Sequence, residues 1–316
     1  MKSVTVEEND SNQRLDKFLL KAFKNLPITF MYKAIRKKDI KVNSKRTDPK
    51  YKLQTGDTIS LYIKDELLQS NKTPYDFTKA PAKIDILHED SNILLINKPP
   101  GLIVHPDKNY HFDSLIDRIK HYLFLKKEYN PANEQTFTPA LVNRLDRNTG
   151  GIVIAAKNAE ALKILNEKMK NREIKKYYLT IVEGIFKKKE DTLTAYLEKN
   201  ETKNRVYVYN KPREGFKIIK TKYKVLREVD GNSLIEIELL TGRTHQIRAH
   251  MAFIGHPILG DAKYGKPTTL TKQKFKYQAL WAYKVEFKFN SGEPSYLHPL
   301  LNNKAFTLSD STLLRR

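Results

Sequence analysis

The chain of 316 residues contains no cysteine. That single absence excludes disulfides, thiolate nucleophiles, iron–sulfur clusters and cysteine-based zinc sites together. Long apolar runs are also missing: nothing approaches the ~18 residues that a membrane-spanning helix needs. The longest candidates, Ile93–Ile96 and Gly151–Ala156, read as short buried strands. The start, Met1 to Asn12, is polar and partly acidic and has no apolar stretch of the secretory kind, so a cytoplasmic protein is expected. Histidine is sparse. His245, His250 and His256 form the densest set, but no HExxH pattern accompanies them and no metal site is expected. Acidic residues are outnumbered, 36 against 58 lysines and arginines, which leaves a net charge of +22. Such an excess is the footprint of a polyanionic partner; the plain alternative is a lysine-rich composition with merely solvated charges. No basic helix carries the apolar stripe of an interfacial segment, so a membrane surface fits less well.

What is present suffices for a folded protein. Hydrophobic residues make up 40%, enough for a core, and the length accommodates two domains or one large one. Residues 12–65 read as a small α+β domain. Leu15, Phe18, Leu19 and Ala22 recur at helical spacing between Arg14 and Lys24, and Pro27 suits the first turn of a second helix running to about Lys38. Asn43–Ser44 is a turn signal, and Ile59, Leu61 and Ile63 alternate as in a half-buried strand. Between Ile28 and Lys52 cations crowd the chain, among them Lys37, Lys38, Lys41 and Arg46, opposed only by Asp39 and Asp48. They suit a phosphate backbone, with an ordinary solvated helix face as the alternative. Residues 66–82, with Pro74 and Pro81, read as a linker. A second domain, 83–305, then alternates short strands with helices. Asn158 is placed to cap a helix, Tyr177–Val182 and Leu234–Leu240 read as strands, and Thr244–Ile254 as a helix stopped by Gly255 and Pro257. The last dozen residues, ending Leu314–Arg315–Arg316, are expected to fray.

Three segments combine ionisable groups with turns. Asn143–Gly151 places Asp146 on a loop between apolar Ala140–Val142 and a strand; alone, it is an ordinary turn aspartate. In Lys175–Gly184, strand periodicity puts Tyr178 on one face with Thr180 and Val182, which by itself means packing. Thr241–Met251, continuing through Gly255–Asp261, opens a helix with Thr-Gly but lacks a Walker lysine, so nucleotide hydrolysis is not supported.

Together these segments resemble the motifs of the RluA-type pseudouridine synthases, which convert uridine in RNA to pseudouridine. Asn97–Leu102 is similar to that family's opening segment, and Arg144–Leu145–Asp146 with Thr149–Gly151 resembles its catalytic motif. Asn143 stands where histidine is usual, and Gly150 where serine is common. The N-terminal domain resembles the small RNA-binding domain shared with a small-subunit ribosomal protein. With Arg14–Asp16 and Ile40–Asn43, the chain looks most like the RluC branch. The resemblance spans about residues 12–290.

The resemblance implies an α+β fold: an antiparallel-rich mixed-sheet catalytic domain, flexibly tethered to the N-terminal domain. It implies Asp146 as the catalytic carboxylate, Tyr178 and Arg248 as its catalytic companions, and Arg144 filling the gap left by an extruded base. Arg147, Arg243, His245 and Gln246 are the other expected substrate-binding residues. An arginine within ~4–6 Å favours the ionised form of a buried carboxylate, and Tyr178 offers a ring for the uracil and a hydroxyl for the last proton transfer. Isomerisation requires no redox cofactor, ATP or metal, so no cofactor is expected. RNA is the expected partner, with a monomer and no membrane. Large-subunit ribosomal RNA is the first substrate candidate. Transfer RNA is the second, and a non-catalytic ribosome-assembly factor the third.

Overall fold

A computed structural model describes residues 1–69, 75–107, 113–265, 275–290 and 295–309. Residues 70–74 of the expected linker, and 310–316 of the last dozen expected to fray, lie outside the described residues; the start of that dozen, Ala305–Thr307, is instead a strand paired in a sheet.

The first unit is a three-stranded antiparallel sheet, β1 (Lys2–Thr5), β2 (Ile40–Val42) and β3 (Thr58–Leu61), with β3 in the middle. Helices α1 (Leu15–Ala22) and α2 (Ile28–Lys37) pack on it. The apolar spacing read from the sequence closes this small core: Leu15, Phe18, Leu19, Met31 and Ile35 are buried with Ile40, Ile59 and Leu61. Burying each such side chain contributes about 1.5–3 kcal/mol. Asn43 and Ser44 both hold positive φ, as the turn after β2 requires. Strand β1 is a correction to the reading of the polar start: its alternation is too short to signal a strand, and pairing with β3 supplies the reason for one.

The second unit is an 11-stranded mixed sheet, the antiparallel-rich sheet expected. Its strands are β4 (Ile86–Glu89), β5 (Ile93–Lys98), β6 (Ala140–Leu141), β7 (Gly150–Ala156), β8 (Ile174–Glu183), β9 (Glu190–Asn200), β10 (Arg205–Tyr209), β11 (Lys217–Val229), β12 (Asn232–Leu239), β13 (Leu280–Phe287) and β14 (Ala305–Thr307). The order along the main path is β10-β9-β11-β12-β8-β13-β7-β5-β4, with β6 beside β7 and β14 beside β13. Among the described strands of this sheet, only the short β13–β7 pairing is parallel. The helices are α3 (Leu115–Leu125), α4 (Ala159–Lys170), α5 (Gln246–Phe253) and α6 (His298–Leu301).

Strand β7 and the first four residues of β5, Ile93–Ile96, are apolar because both faces are covered. Leu94, Ile96, Val153 and Ala155 join the core under α3, while Ile93, Leu95, Ile152 and Ile154 join the one under α4. Asn158 caps α4 as read, its side chain accepting from the Ala161 N–H at 2.8 Å. Gly255, at φ +90°, ends α5, with the His256 N–H closing on the Met251 carbonyl at 2.9 Å. The two units also touch. Asp10 accepts from the backbone N–H and hydroxyl of Thr136, at 3.1 and 2.6 Å, and the Asn9 carbonyl oxygen of its side chain accepts from the Ala159 N–H at 3.0 Å. The expected tether therefore comes with polar contacts that sequence spacing does not reveal. Among the described residues, no helix is long and apolar enough to cross a membrane.

Candidate active site

Four aligned strands bring distant segments together. Gly151 on β7 is opposite Ala282 on β13; Ala282 is opposite Tyr178 on β8; Tyr178 is opposite Ile237 on β12. Two strand spacings, roughly 10 Å, thus separate Tyr178 from the point where the Asp146 loop enters the sheet. Tyr178, Thr180 and Val182 are buried on one face, as strand periodicity required.

The loop carrying Asp146 is held along its length. Asn143 mimics a strand partner, its side-chain oxygen accepting from the Ile154 N–H at 2.8 Å and its amide donating to the Ile152 carbonyl at 3.3 Å. Leu145 is buried, and the Thr149 N–H bonds the Asp146 carbonyl at 3.1 Å. The Arg147 carbonyl accepts from the Gly101 N–H and from Lys98 Nζ, both at 2.9 Å. Lys98 is wholly buried and donates also to the carbonyls of Pro99 and Leu102, at 2.9 and 2.8 Å. Burial pushes its pKa down to about 7, and the charge of Asp146 opposes this. Three carbonyl acceptors match the three N–H bonds of an ammonium, the form this cage holds best.

Glycines 150 and 151 end the loop for steric reasons. A Cβ on Gly150 would sit 2.6 Å from Trp281 Nε1, so the single tryptophan occupies the space a serine would need. Gly151 has φ +113°, and its Cβ would lie 2.2 Å from the Ala282 carbonyl oxygen.

Asp146 meets Arg248, 102 positions away in sequence, with Nη1 at 3.1 Å from Oδ2. The rest of the guanidinium is clamped by Asp261, which accepts from Nε at 2.7 Å and Nη2 at 2.9 Å. This bidentate pair fixes the guanidinium plane and aims Nη1 at Asp146. Burial pushes the Asp261 carboxyl up, and Arg248 with the N–H groups of Lys263 and Tyr264 more than offsets it, leaving it below the usual carboxylate range. Burial works against the Arg248 charge, and its two carboxylates outweigh burial. Asp261 is sealed, whereas the Asp146 side chain is 26% exposed, so Asp146 is the carboxylate a substrate can reach.

His245 stands beside this pair. It caps α5 in a left-handed conformation, φ 53°, with Nε2 3.8 Å from Asp146 Oδ2 and Nδ1 2.9 Å from the Tyr264 hydroxyl. That hydroxyl accepts from the Val206 N–H at 3.0 Å, which leaves its own proton for His245 Nδ1 and the other ring nitrogen protonated toward Asp146. Burial chiefly lowers the pKa of His245, with Asp146 opposing. Arg205 and Arg248 both lie over the Tyr264 ring, at 5.0 and 5.3 Å.

Asp146, Tyr178 and Arg248 line one cleft of about 860 Å³, together with Arg144, Arg243 and His245. Arg147 is exposed next to the loop, its Nε donating to the Gly101 carbonyl at 3.1 Å. Gln246 also borders the cleft, but its amide is occupied inside the protein. It accepts from the Thr241 hydroxyl and the Arg243 N–H, and donates to the Lys220 carbonyl and the Thr221 hydroxyl. Lys37, Lys38 and Arg46 are exposed on the first unit, and Lys41 lies over the Tyr62 ring at 5.3 Å. Among the described residues these four make no salt bridge, and no group of three or more metal-binding side chains occurs. Lys98 and Asp261 stand within the motif segments, but nothing in the local pattern gives either a task. Tyr264 carried no signal, because nothing in its neighbours distinguishes it from a packing tyrosine.

Residues 92–253, half of the chain, match the RNA pseudouridylate synthase family. The chain belongs to that family. Residues 13–59 match the S4 domain. An RNA pseudouridine synthase of Mycoplasma capricolum is 35% identical over 320 residues and the full length of both chains. A ribosomal large subunit pseudouridine synthase C of Buchnera aphidicola is 33% identical, covering 90% of this chain and 88% of its own; one of Haemophilus influenzae is 34% identical over 84% and 79%. The solved structure of human RNA pseudouridylate synthase domain containing 1 shares the fold, with a TM-score of 0.53 at 21% identity, covering 74% of this chain and 94% of its own. Membership of a pseudouridine synthase family and an RNA-binding domain bear out the RNA partner and the isomerase class expected from the motifs.

Proposed function

We propose that this RNA pseudouridine synthase acts on large-subunit ribosomal RNA and that Asp146 is its catalytic carboxylate. The observation that carries the catalytic assignment is the chain Asp261–Arg248–Asp146, which presents one accessible carboxylate in a nucleotide-sized cleft. The substrate assignment is supported by the relatives named for the ribosomal large subunit. The division into a basic RNA-binding domain (12–65), a linker (66–82) and a catalytic domain (83–305) belongs to the same reading, with Lys37, Lys38, Lys41 and Arg46 contacting RNA phosphates.

The reaction breaks the bond between C1′ and N1, turns the base, and joins C1′ to C5. C5 loses a proton and N1 gains one, so nothing is oxidised or reduced. The carboxylate begins it by adding to carbon 6 or by removing the ribose 2′ proton; both routes need it ionised, and Arg248 places a cation on it. Burial, and then the charge of Asp146, push the Tyr178 phenol up, so it is neutral in the free site; its ring faces the base, and its hydroxyl, as the motif resemblance implies, helps carry the proton away from C5. Arg144 fills the space of the extruded base, and Arg147 and Arg243 offset the cost of extrusion, a few kcal/mol, through phosphate contacts. His245 stands 3.8 Å from the same Asp146 oxygen that Arg248 contacts.

The test is pseudouridine mapping of total RNA from cells with and without the gene. Sites in large-subunit ribosomal RNA should vanish on deletion. Sites lost only from transfer RNA, or no sites lost, would refute the substrate assignment.

A further inference from the structure

Resting on that reading, we propose that Lys176 is the centre of an anion subsite inside the cleft, which takes a backbone phosphate of the RNA next to the target uridine. Lys176 stands on β8 two positions before Tyr178, so both side chains leave the same strand face, about 7 Å apart. Both line the cleft that holds Asp146.

What sets Lys176 apart is its lack of an oxygen acceptor. Among the described residues its Nζ has one hydrogen-bond partner, the Met169 thioether at 3.0 Å. Sulfur of this kind is a weak acceptor and leaves an ammonium mostly unsatisfied. The other interior lysines are provided for: Lys98 by three carbonyls, Lys157 by Glu89 and Glu128, Lys168 by Glu173. Burial pushes the Lys176 pKa down, and no neighbouring charge offsets the shift. A half-buried cation without an acceptor is costly in the free protein. It becomes favourable when an anion arrives, because partial desolvation strengthens a charge-assisted hydrogen bond.

The surroundings select the anion. Lys170 and Arg172 also line this cleft, while Lys175, next in the strand, leaves the opposite face and pairs with Glu238 at 3.8 Å. A wall with this excess of cations repels metal ions and suits a phosphodiester. The spacing from Tyr178 matches the reach from a base on that ring to a phosphate of its own or the adjoining nucleotide.

The experiment compares wild type with Lys176→Met, which keeps the apolar stem and removes the charge. Lys176→Gln is carried in parallel so that the result does not depend on one folded variant, and Lys176→Arg retains the charge. Binding of a labelled large-subunit ribosomal RNA fragment is titrated across a range of potassium chloride concentrations, with turnover measured at saturating RNA. The uncharged variants should bind about tenfold more weakly, with the log–log salt slope shallower by ~0.7–0.9, the value of one lost phosphate contact. Their kcat should stay within about twofold, and Lys176→Arg should restore the slope. Wild-type affinity and slope in both uncharged variants would overturn the subsite. Weaker binding with an unchanged slope would mean contact with an uncharged base, and a fall in kcat with intact binding would mean a positioning role; either overturns it. A wild type that binds RNA but forms no pseudouridine would refute the proposed function instead, a result the salt slopes do not touch.

Discussion

Arg248 faces two carboxylates in unlike settings. The sealed Asp261 holds it through two parallel bonds, and the accessible Asp146 receives its remaining nitrogen. Removing either acid should therefore have different consequences. Asp146→Asn removes the proposed reacting group while leaving the cleft filled. Asp261→Asn leaves the reacting group in place but frees the guanidinium to turn; kcat should fall about 10–100-fold with KM for RNA little changed. Equal kcat in Asp261→Asn and wild type would show that the clamp has no part in positioning. The acid–arginine pair was legible from motif residues, though not Asp261's grip, because a bidentate contact across 13 positions depends on the turn after α5 and on burial that no local pattern encodes.

At the scale of elements, the Asp146 loop is held by neighbours from three other segments. Lys98 is the main tie, bonding three carbonyls including that of Arg147. Lys98→Met would leave three acceptors without their donor. The expected loss is about 2–4 kcal/mol of stability, read as a lower urea midpoint, together with lower turnover as the loop loosens. An unchanged midpoint would contradict the cage. Gly151→Ala should be worse: its Cβ would meet β13 backbone at 2.2 Å, so little soluble protein is expected, judged by yield and circular dichroism. Helices α1, α2 and α4 and strands β5, β7 and β8 were readable because each carries a clean period or an unbroken apolar run. The long ribbon β9–β11 was not. Its residues alternate polar and apolar only in part, as in Lys217–Val229, where Ile218 and Leu226 are exposed. Pairing across the sheet, a non-local property, decides those strands.

For the whole molecule, charge and buried histidine set the response to solution conditions. His250 is buried against the Thr221 hydroxyl at 3.0 Å, and burial lowers its pKa from 6.5 to about 4. The unfolded chain thus binds this proton more readily than the folded one. The contribution of His250 to stability is complete above pH ~6.5 and declines as pH falls toward about 4. Urea midpoints measured across that window should fall in wild type and fall less steeply in His250→Gln; parallel slopes would contradict the assignment. The net charge of +22 made a polyanionic partner readable from composition, while which cations reach the cleft was not, since that depends on strand register.

One solvent-accessible carboxylate carries the proposed chemistry, and single-turnover kinetics test it most directly. Purified wild type and Asp146→Asn are each mixed in excess with large-subunit ribosomal RNA, and pseudouridine is counted against time alongside the fraction of RNA bound. Wild type should form pseudouridine, and Asp146→Asn should form none while binding RNA within about twofold of wild type. Pseudouridine produced by Asp146→Asn at a rate close to that of wild type would contradict it.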